Sequence, residues 1–353
     1  MKQFSEKDLL KEAQKSITSV LSDIPFVKLN KSKAKVKIDN RVVDFVLDTL
    51  ISGKLTKFIV EVKSQGEPRL VRMAIAQLKD CLKSFKDSYG ILVAPYLSNA
   101  SIQICKEAGI GCLDLAGNAF LSFKSVFIDR SGRPNPFAVT RLSKSVFSPK
   151  SSRILRVLLS DPLKRWYVED LSREAGISMG LTSRVKQALL SEEWIKEENK
   201  SFYLAKPEEV LNQWIGNYSY EKNESFSFYS GLSEDQLETA IKKGCGKMKY
   251  RYGLALFSGA RKVAPFVRFM RFFSYVDGNI EGIAKALKLK KVESGANVTL
   301  LQPYDEGVFY GLQEINGINV VSDIQLYLDL KSYKGRGEEA AQTIFEQRIK
   351  PKW

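Results

Sequence analysis

The 353-residue sequence contains no histidine. This absence excludes catalytic pairs in which an imidazole activates serine or cysteine, and it excludes zinc sites built on imidazole. The four cysteines show no Cys-x-x-Cys spacing, so we expect reduced thiols in a protein core, at Cys81, Cys105, Cys112 and Cys245. Any catalysis would therefore use carboxylates, lysines, hydroxyls or thiols.

Long apolar runs are also lacking, and no segment reaches the length of a membrane span. The first ten residues, MKQFSEKDLL, carry too much charge for a signal peptide, so we expect a cytoplasmic protein with no membrane partner. The length and the apolar content of 44% are sufficient for two or three globular domains, each with its own core.

The net charge of +15 is concentrated in blocks. Residues 241–292 contain 13 Lys and Arg against 2 Asp and Glu, whereas residues 201–240 are acidic. Basic blocks separated by acidic ones favour a polyanion that is contacted at several places, and nucleic acid is the best candidate. The alternative is that the charge serves solubility alone.

Two apolar segments of strand length carry charges that a buried strand should not have. The first, residues 41–48, contains Asp44, and the second, residues 57–63, contains Glu61 and Lys63. Residues two apart on a strand point to the same face, and a hairpin would bring Asp44 to that face. Two carboxylates and an ammonium predict a site for Mg²⁺ or Mn²⁺ beside a group that orients or deprotonates water. The alternative is a surface hairpin with an ordinary ion pair.

This arrangement resembles the core of the PD-(D/E)XK nuclease superfamily, in which an acidic residue on one strand precedes Glu-x-Lys on the next. Val43 stands where that pattern usually has proline. The resemblance implies a restriction-endonuclease-like mixed sheet over residues 1–137. It also implies metal ligands at Asp44, Glu61 and the Val62 carbonyl, and catalytic residues Asp44, Glu61, Lys63 and Gln77.

A segment rich in Pro, Ser and basic residues, 138–147, predicts a linker. Residues 148–215 then show a helix, a second helix stopped by Gly176, a third helix capped by Ser178, and two short strands. This order resembles a winged helix of the MarR kind, whose third helix enters the major groove of double-stranded DNA. The DNA-binding candidates are Ser178, Thr182, Ser183, Arg184, Lys186 and Gln187, with Lys200 on the wing. The alternative is a winged helix that binds only protein.

Residues 219–353 read as an α+β domain. The phrases PYDEGVFYG (303–311), VVSDIQLYLDL (320–330) and GRGEEAA (335–341) resemble the C-terminal region of AbiEi-family antitoxins of type IV toxin–antitoxin systems. The resemblance implies operator binding by the winged helix and a C-terminal domain similar in outline to a nucleotidyltransferase fold. No Gly-Ser followed by an acidic pair is present, so transferase activity is not expected. The basic block adds candidates for a second DNA contact, namely Arg261, Lys262, Arg268 and Arg271, unless it is only a solvated face.

Together these patterns predict an α/β and α+β multidomain protein that binds double-stranded DNA. One hypothesis is a Mg²⁺-dependent endonuclease of phage defence or of a toxin–antitoxin system. The alternative is a non-catalytic AbiEi-like antitoxin or transcriptional repressor. A third, weaker interpretation is an adaptor that assembles with other defence proteins. A cognate toxin or another defence protein would be the protein partner, and a homodimer is left open.

Overall fold

A computed structural model describes residues 5–38, 41–134, 136, 146–264, 271–333 and 337–353. Its contacts divide the chain into two compact units, residues 1–140 with 190–193, and residues 141–189 with 194–353. The predicted linker at 138–147 lies outside the described residues except for its last two positions. Among the described helices, none has both the length and the apolar character needed to cross a membrane.

The first unit contains a seven-stranded sheet whose strands lie side by side in chain order. Its first three strands and its last three are antiparallel neighbours, whereas the third, fourth and fifth run parallel. The strands are β1 (Val27–Ile38), β2 (Arg41–Ile51), β3 (Lys54–Val62), β4 (Ser88–Ala94), β5 (Gly111–Asp114), β6 (Ala119–Phe123) and β7 (Val126–Arg130).

Three helices cover the two faces of this sheet: α1 (Glu6–Ser22), α2 (Pro68–Leu82) and α3 (Asn99–Ala108). The apolar residues of α1 share one buried cluster with Phe58 and Val60, and those of α2 and α3 share another with Ile59. Successive strand residues point to opposite faces, so the helices lie on opposite sides of the sheet. Parallel strands require crossovers, which α2 and α3 provide. The predicted α/β architecture with a mixed sheet is therefore confirmed for the first unit.

Near the middle of the β1–β2 ladder, the regular alternation of side chains between the two faces of the sheet is interrupted in both strands. Phe45, opposite Ala34, packs in the core beside α1, whereas Val43, opposite Val36, packs in the core beside α2. Two residues this close on a regular strand would share a face. Lys35, which lies between the two pairs, has a φ of 49°. The irregularity therefore falls at the level of Asp44.

The second unit begins with α4 (Pro149–Ser160), α5 (Val168–Glu174) and α6 (Met179–Ser191), followed by the hairpin β8 (Ile195–Glu198) and β9 (Ser201–Leu204). Gly176 ends the second of these helices with a φ of 63°, a left-handed conformation that suits glycine. The two residues of the hairpin turn, Asn199 and Lys200, also have positive φ, as two-residue hairpin turns require. Trp166 forms an antiparallel bridge with Phe202, which adds a third short segment to the hairpin.

After α7 (Pro207–Ile215) the chain forms a second mixed sheet of seven strands in the order β13-β10-β14-β12-β11-β16-β15. Its strands are β10 (Glu224–Tyr229), β11 (Arg251–Leu254), β12 (Phe272–Asp277), β13 (Lys290–Lys291), β14 (Val298–Gln302), β15 (Gln313–Ile315) and β16 (Ile318–Val320). The accompanying helices are α8 (Glu234–Met248), α9 (Leu256–Val263), α10 (Ile280–Ala286), α11 (Asp323–Ser332) and α12 (Gly337–Ile344).

A buried polar network joins α4 to this second sheet region. Arg156 is 1% exposed, and its guanidinium donates to Gln325 Oε1 at 2.6 Å and lies 4.9 Å from the centre of the Trp214 ring. Gln325 in turn donates to Asp329 Oδ1 at 2.8 Å, which also accepts the hydroxyl of Tyr218 at 2.5 Å. Buried polar groups of this kind require partners, so α4 and α11 are held in one arrangement.

Candidate functional site

Asp44 lies where strands β2 and β3 separate. Their ladder ends at the pair Phe45 and Val60, and the next residue of β2 is Asp44. Its Oδ2 accepts the backbone N–H of Val62 at 2.7 Å. The carboxylate thus takes the place of a main-chain acceptor, and this contact fixes the side chain beside the end of β3.

Glu61, Lys63 and Gln77 meet at the same end of β3. Lys63 Nζ donates to Glu61 Oε1 at 2.6 Å and to Gln77 Oε1 at 3.3 Å. Gln77 belongs to α2. This helix packs on the face of the sheet to which Ile59 points. Glu61, two residues on, points to that face and is only 9% exposed. The structure therefore brings together all four residues that the sequence predicts as catalytic.

The two carboxylates are poorly hydrated. Burial raises the pKa of Asp44, while the Val62 N–H and the Lys63 charge act in the opposite direction. Burial likewise raises the pKa of Glu61, and the charge of Asp44 raises it further against the lowering effect of Lys63. One lysine does not fully compensate two buried carboxylates, so an added cation would favour their ionised forms.

The oxygen atoms of these residues suit a hard divalent cation that takes only a few of its ligands from the protein. Within the described residues there is no group of three or more Cys, Asp or Glu side chains that could hold a metal. Mg²⁺, however, is usually bound through one or two carboxylates and completes its shell with water and substrate phosphate. The N–H and C=O of a strand residue face the same neighbour, and the Val62 N–H faces Asp44. Its carbonyl is thus suitably directed to join Asp44 and Glu61.

Four of the predicted DNA-binding residues form an exposed set on and before α6, and a fifth lies on the hairpin turn. They are Ser178, Ser183, Arg184, Gln187 and Lys200. Arg184 Nε donates to the Gly180 carbonyl at 3.3 Å, which leaves the guanidinium at the helix surface. The exposed face of α6 thus carries hydrogen-bonding groups and one cation, the Arg184 guanidinium.

The prediction that Thr182 and Lys186 are exposed is wrong. Thr182 is fully buried, and its hydroxyl donates to the Ser178 carbonyl at 3.1 Å. Lys186 is 8% exposed and pairs with Glu197 of β8 at 2.5 Å. The buried face of α6 follows positions 182, 185, 186 and 189, and Leu181 is only half-buried.

Three of the residues predicted to make a second DNA contact have partners in the structure. Arg261 pairs with Glu234, Asp235 and Glu238 at 3.0–3.3 Å, and Lys262 pairs with Glu238 at 2.7 Å. The charges of these two side chains are therefore already compensated by acidic partners, and their contact with DNA stays a prediction. Arg271 donates to the Ala296 carbonyl at 3.1 and 3.3 Å, and Arg268 lies outside the described residues.

Two groups of lysines were not among the predicted site residues. In the basic block, lysines with exposed side chains lie on α8, α10, β13 and the α10–β13 connection, and they include Lys243, Lys247, Lys285, Lys288, Lys290 and Lys291. On α1, Lys7 and Lys11 line a groove that reaches Asp44. Their spacing of four residues is the only signal in the sequence that could have placed them on one face.

Comparison with known proteins identifies the C-terminal part of the chain. Residues 203–350 match the family model described as transcriptional regulator, AbiEi antitoxin, type IV TA system. The predicted AbiEi resemblance is confirmed for this segment. No curated protein matches the chain.

Two solved structures align with part of the chain. A repair endonuclease from Pyrococcus abyssi is 20% identical over 29% of this chain and 46% of its own, with a TM-score of 0.22. The EndoMS-dsDNA2 complex is 17% identical over 29% of this chain and 44% of its own, also with a TM-score of 0.22. The chain thus matches less than half the length of either protein, and these TM-scores do not establish a shared fold.

Proposed function

We propose that this protein is a DNA-binding transcriptional regulator of the AbiEi antitoxin type. The observation that carries the proposal is the match of residues 203–350 to that family, which begins in the second strand of a hairpin that follows a helix–turn–helix. In this proposal α4–α6 with β8–β9 form a winged helix that binds double-stranded DNA, and the following sheet is similar in outline to a nucleotidyltransferase fold.

The exposed face of α6 supplies the chemistry for reading base edges. Arginine forms paired hydrogen bonds with guanine in the major groove, and glutamine does so with adenine. Arg184 and Gln187 are exposed on adjacent positions of the helical surface, with Ser183 beside them. Lys200, at the tip of the hairpin, is placed to contact a phosphate, as a wing commonly does.

Footprinting and mobility-shift titration on the DNA upstream of the protein's own gene test this function. We expect a discrete footprint, and we expect Arg184→Ala to weaken specific binding by about 1–3 kcal/mol, or roughly 5- to 150-fold. Arg173→Ala is the matched control, because Arg173 is an exposed arginine of α5 that pairs with Glu169 and Asp170 of its own helix. The absence of a footprint, or equal affinities for wild type and Arg184→Ala, would contradict the proposal.

A second function is supported by the cluster at the end of β3. We propose a Mg²⁺- or Mn²⁺-dependent DNA endonuclease in which Asp44, Glu61 and the Val62 carbonyl hold the cation. When bound, the cation supplies charge stabilisation for phosphodiester hydrolysis. The Lys63 ammonium would orient the attacking water, and Gln77 holds that ammonium in position.

Incubation of plasmid and linear DNA with the purified protein and Mg²⁺ or Mn²⁺ tests the second function. Cleavage should occur with the wild type and be lost with Lys63→Ala. It should persist with Lys79→Ala, which changes an exposed lysine of the same helix as Gln77. A wild type that cuts no substrate, or a Lys63→Ala variant that cuts at the wild-type rate, would refute it.

A cognate toxin is the protein partner that we propose, because the matching family is described as the antitoxin of a type IV system. Growth of cells that express the neighbouring gene, with and without this protein, tests that proposal. Rescue of growth supports an antitoxin, and continued toxicity in the presence of the folded protein contradicts it.

A further inference from the structure

A groove of about 350 Å³ lies between α1 and the β1–β2 ribbon and reaches Asp44. It belongs entirely to the first unit. Glu61, Lys63 and Gln77 cluster on the side of the site that α2 covers, whereas the groove lies on the side that α1 covers. The residues that line the groove and matter for its chemistry are Lys7, Leu10, Lys11, Gln14, Ala34 and Phe45.

The groove combines two cations with an apolar wall. Lys7 and Lys11 are exposed, lie one helical turn apart, and have no ion-pair partner within the described part of the chain. Leu10, Ala34 and Phe45 supply apolar surface between them and the strands. A phosphate matches the ammonium groups and an aromatic ring matches the apolar wall, so a nucleotide unit fits both.

The acidic groups near the groove have other partners. The Asp8 carboxylate accepts the Ser5 hydroxyl at 2.7 Å, and Glu6 lies 3.6 Å from the Lys35 ammonium. Asp44 accepts the Val62 N–H and would be neutralised by the divalent cation of the second proposed function. The Ser5 hydroxyl leaves the charge of Asp8 in place, so Lys7 and Lys11 together still give this end of the groove a net positive charge that attracts an anion.

The volume of the groove matches one nucleotide and not a base pair. A volume near 350 Å³ is at the lower end of the range for ligand pockets, about 300–1,000 Å³. A DNA duplex, whose major groove alone is about 12 Å wide, cannot enter a space of this size. A single unpaired nucleotide can.

We propose that this groove binds an unpaired nucleotide next to the phosphodiester held at Asp44 and Glu61. The preferred substrate of the site is then DNA with a single-stranded end or flap. The inference rests on the second proposed function for its location, and it adds the form of the substrate and two residues that bind it, Lys7 and Lys11.

Fluorescence anisotropy of the full chain with a 5′-labelled fifteen-nucleotide oligo(dT), in EDTA and in Ca²⁺, tests binding without cleavage. The double variant Lys7→Ala/Lys11→Ala should bind about tenfold more weakly. Its slope of log affinity against log salt should fall by about 0.7, since the groove holds one phosphate and each single-strand phosphate contact contributes roughly 0.7. Lys15→Ala is the matched control, because Lys15 is an exposed lysine of the same helix and pairs with Glu12 at 2.8 Å.

The proposed nucleotide site would be refuted if the double variant kept the wild-type affinity and salt slope. It would also be refuted if Lys15→Ala lost as much affinity for oligo(dT) as the double variant. Cleavage of flapped and blunt duplexes in Mg²⁺ separates the two proposals. If the wild type and the double variant both cut flapped and blunt duplexes equally, the nucleotide site is refuted and the proposed nuclease function is supported. If the wild type cuts neither but the double variant loses oligo(dT) binding, the nuclease fails and the nucleotide site stands.

Discussion

The carboxylate of Asp44 accepts the backbone N–H of Val62 at 2.7 Å, so one side chain both ends the β2–β3 ladder and forms the metal-binding candidate. A substitution at this position therefore changes local structure as well as cation affinity. The two effects can be separated, because asparagine keeps an oxygen that accepts the N–H but loses the charge.

Asp44→Ala should lower the free energy of unfolding by about 1–3 kcal/mol in EDTA, because the Val62 N–H loses its acceptor. Asp44→Asn should cost less. Urea denaturation measures both. In the presence of Mg²⁺ the wild type should gain stability and Asp44→Asn should not, because only the carboxylate binds the cation. A Mg²⁺-dependent gain that is equal in wild type and Asp44→Asn would contradict the metal assignment.

The pH dependence of stability should contain a contribution from Asp329. Burial raises the pKa of this carboxyl from 3.8 to about 7, so the folded protein retains a proton that the unfolded chain has released. The stabilisation is complete below about pH 4 and is lost as the pH rises to about 7. Asp329→Asn should show a flatter profile of unfolding free energy than the wild type over this range. Parallel profiles would show that Asp329 is ionised throughout.

Arg156 should be required for the stability of the second unit. Arg156→Met removes the donor to Gln325 and leaves buried polar groups unpaired, at an expected cost of about 1–3 kcal/mol. Arg156→Lys should not restore stability, because an ammonium lacks the planar donor pair and the stacking on Trp214. Arg165→Met is the control, since its exposed pair with Glu198 should contribute less than about 1 kcal/mol. Thermal denaturation checks the ranking, and equal losses at the two positions would contradict it.

Lys186 and Gln187 are neighbours on α6 with opposite expected phenotypes. Lys186→Ala breaks a largely buried pair with Glu197 and should lower stability by about 1–3 kcal/mol. Gln187→Ala should leave stability unchanged and weaken DNA binding. Chemical denaturation and mobility-shift titration of the two variants check this division. A loss of stability in Gln187→Ala would place that side chain in the core.

The sequence by itself determined the features that depend on local pattern. The apolar runs around Asp44 and Glu61 predicted two strands, and the two-residue period of a strand directed Glu61 and Lys63 to one face. The start of α1 is likewise local, since Ser5 caps the helix by accepting the Asp8 N–H at 3.2 Å. These predictions rest on steric and hydrogen-bonding preferences that act within a few residues.

The tertiary structure decided which side chains remain free. Thr182 and Lys186 are polar residues on a short helix, and only the packing of α6 against β8 and β9 shows that they are buried. The partners of Arg261 lie 23 to 27 positions earlier in the chain, and Gln325 is 169 positions from Arg156. Such contacts depend on long-range folding, because a charged side chain is compatible with either solvent or a distant carboxylate until the backbone brings that carboxylate within reach.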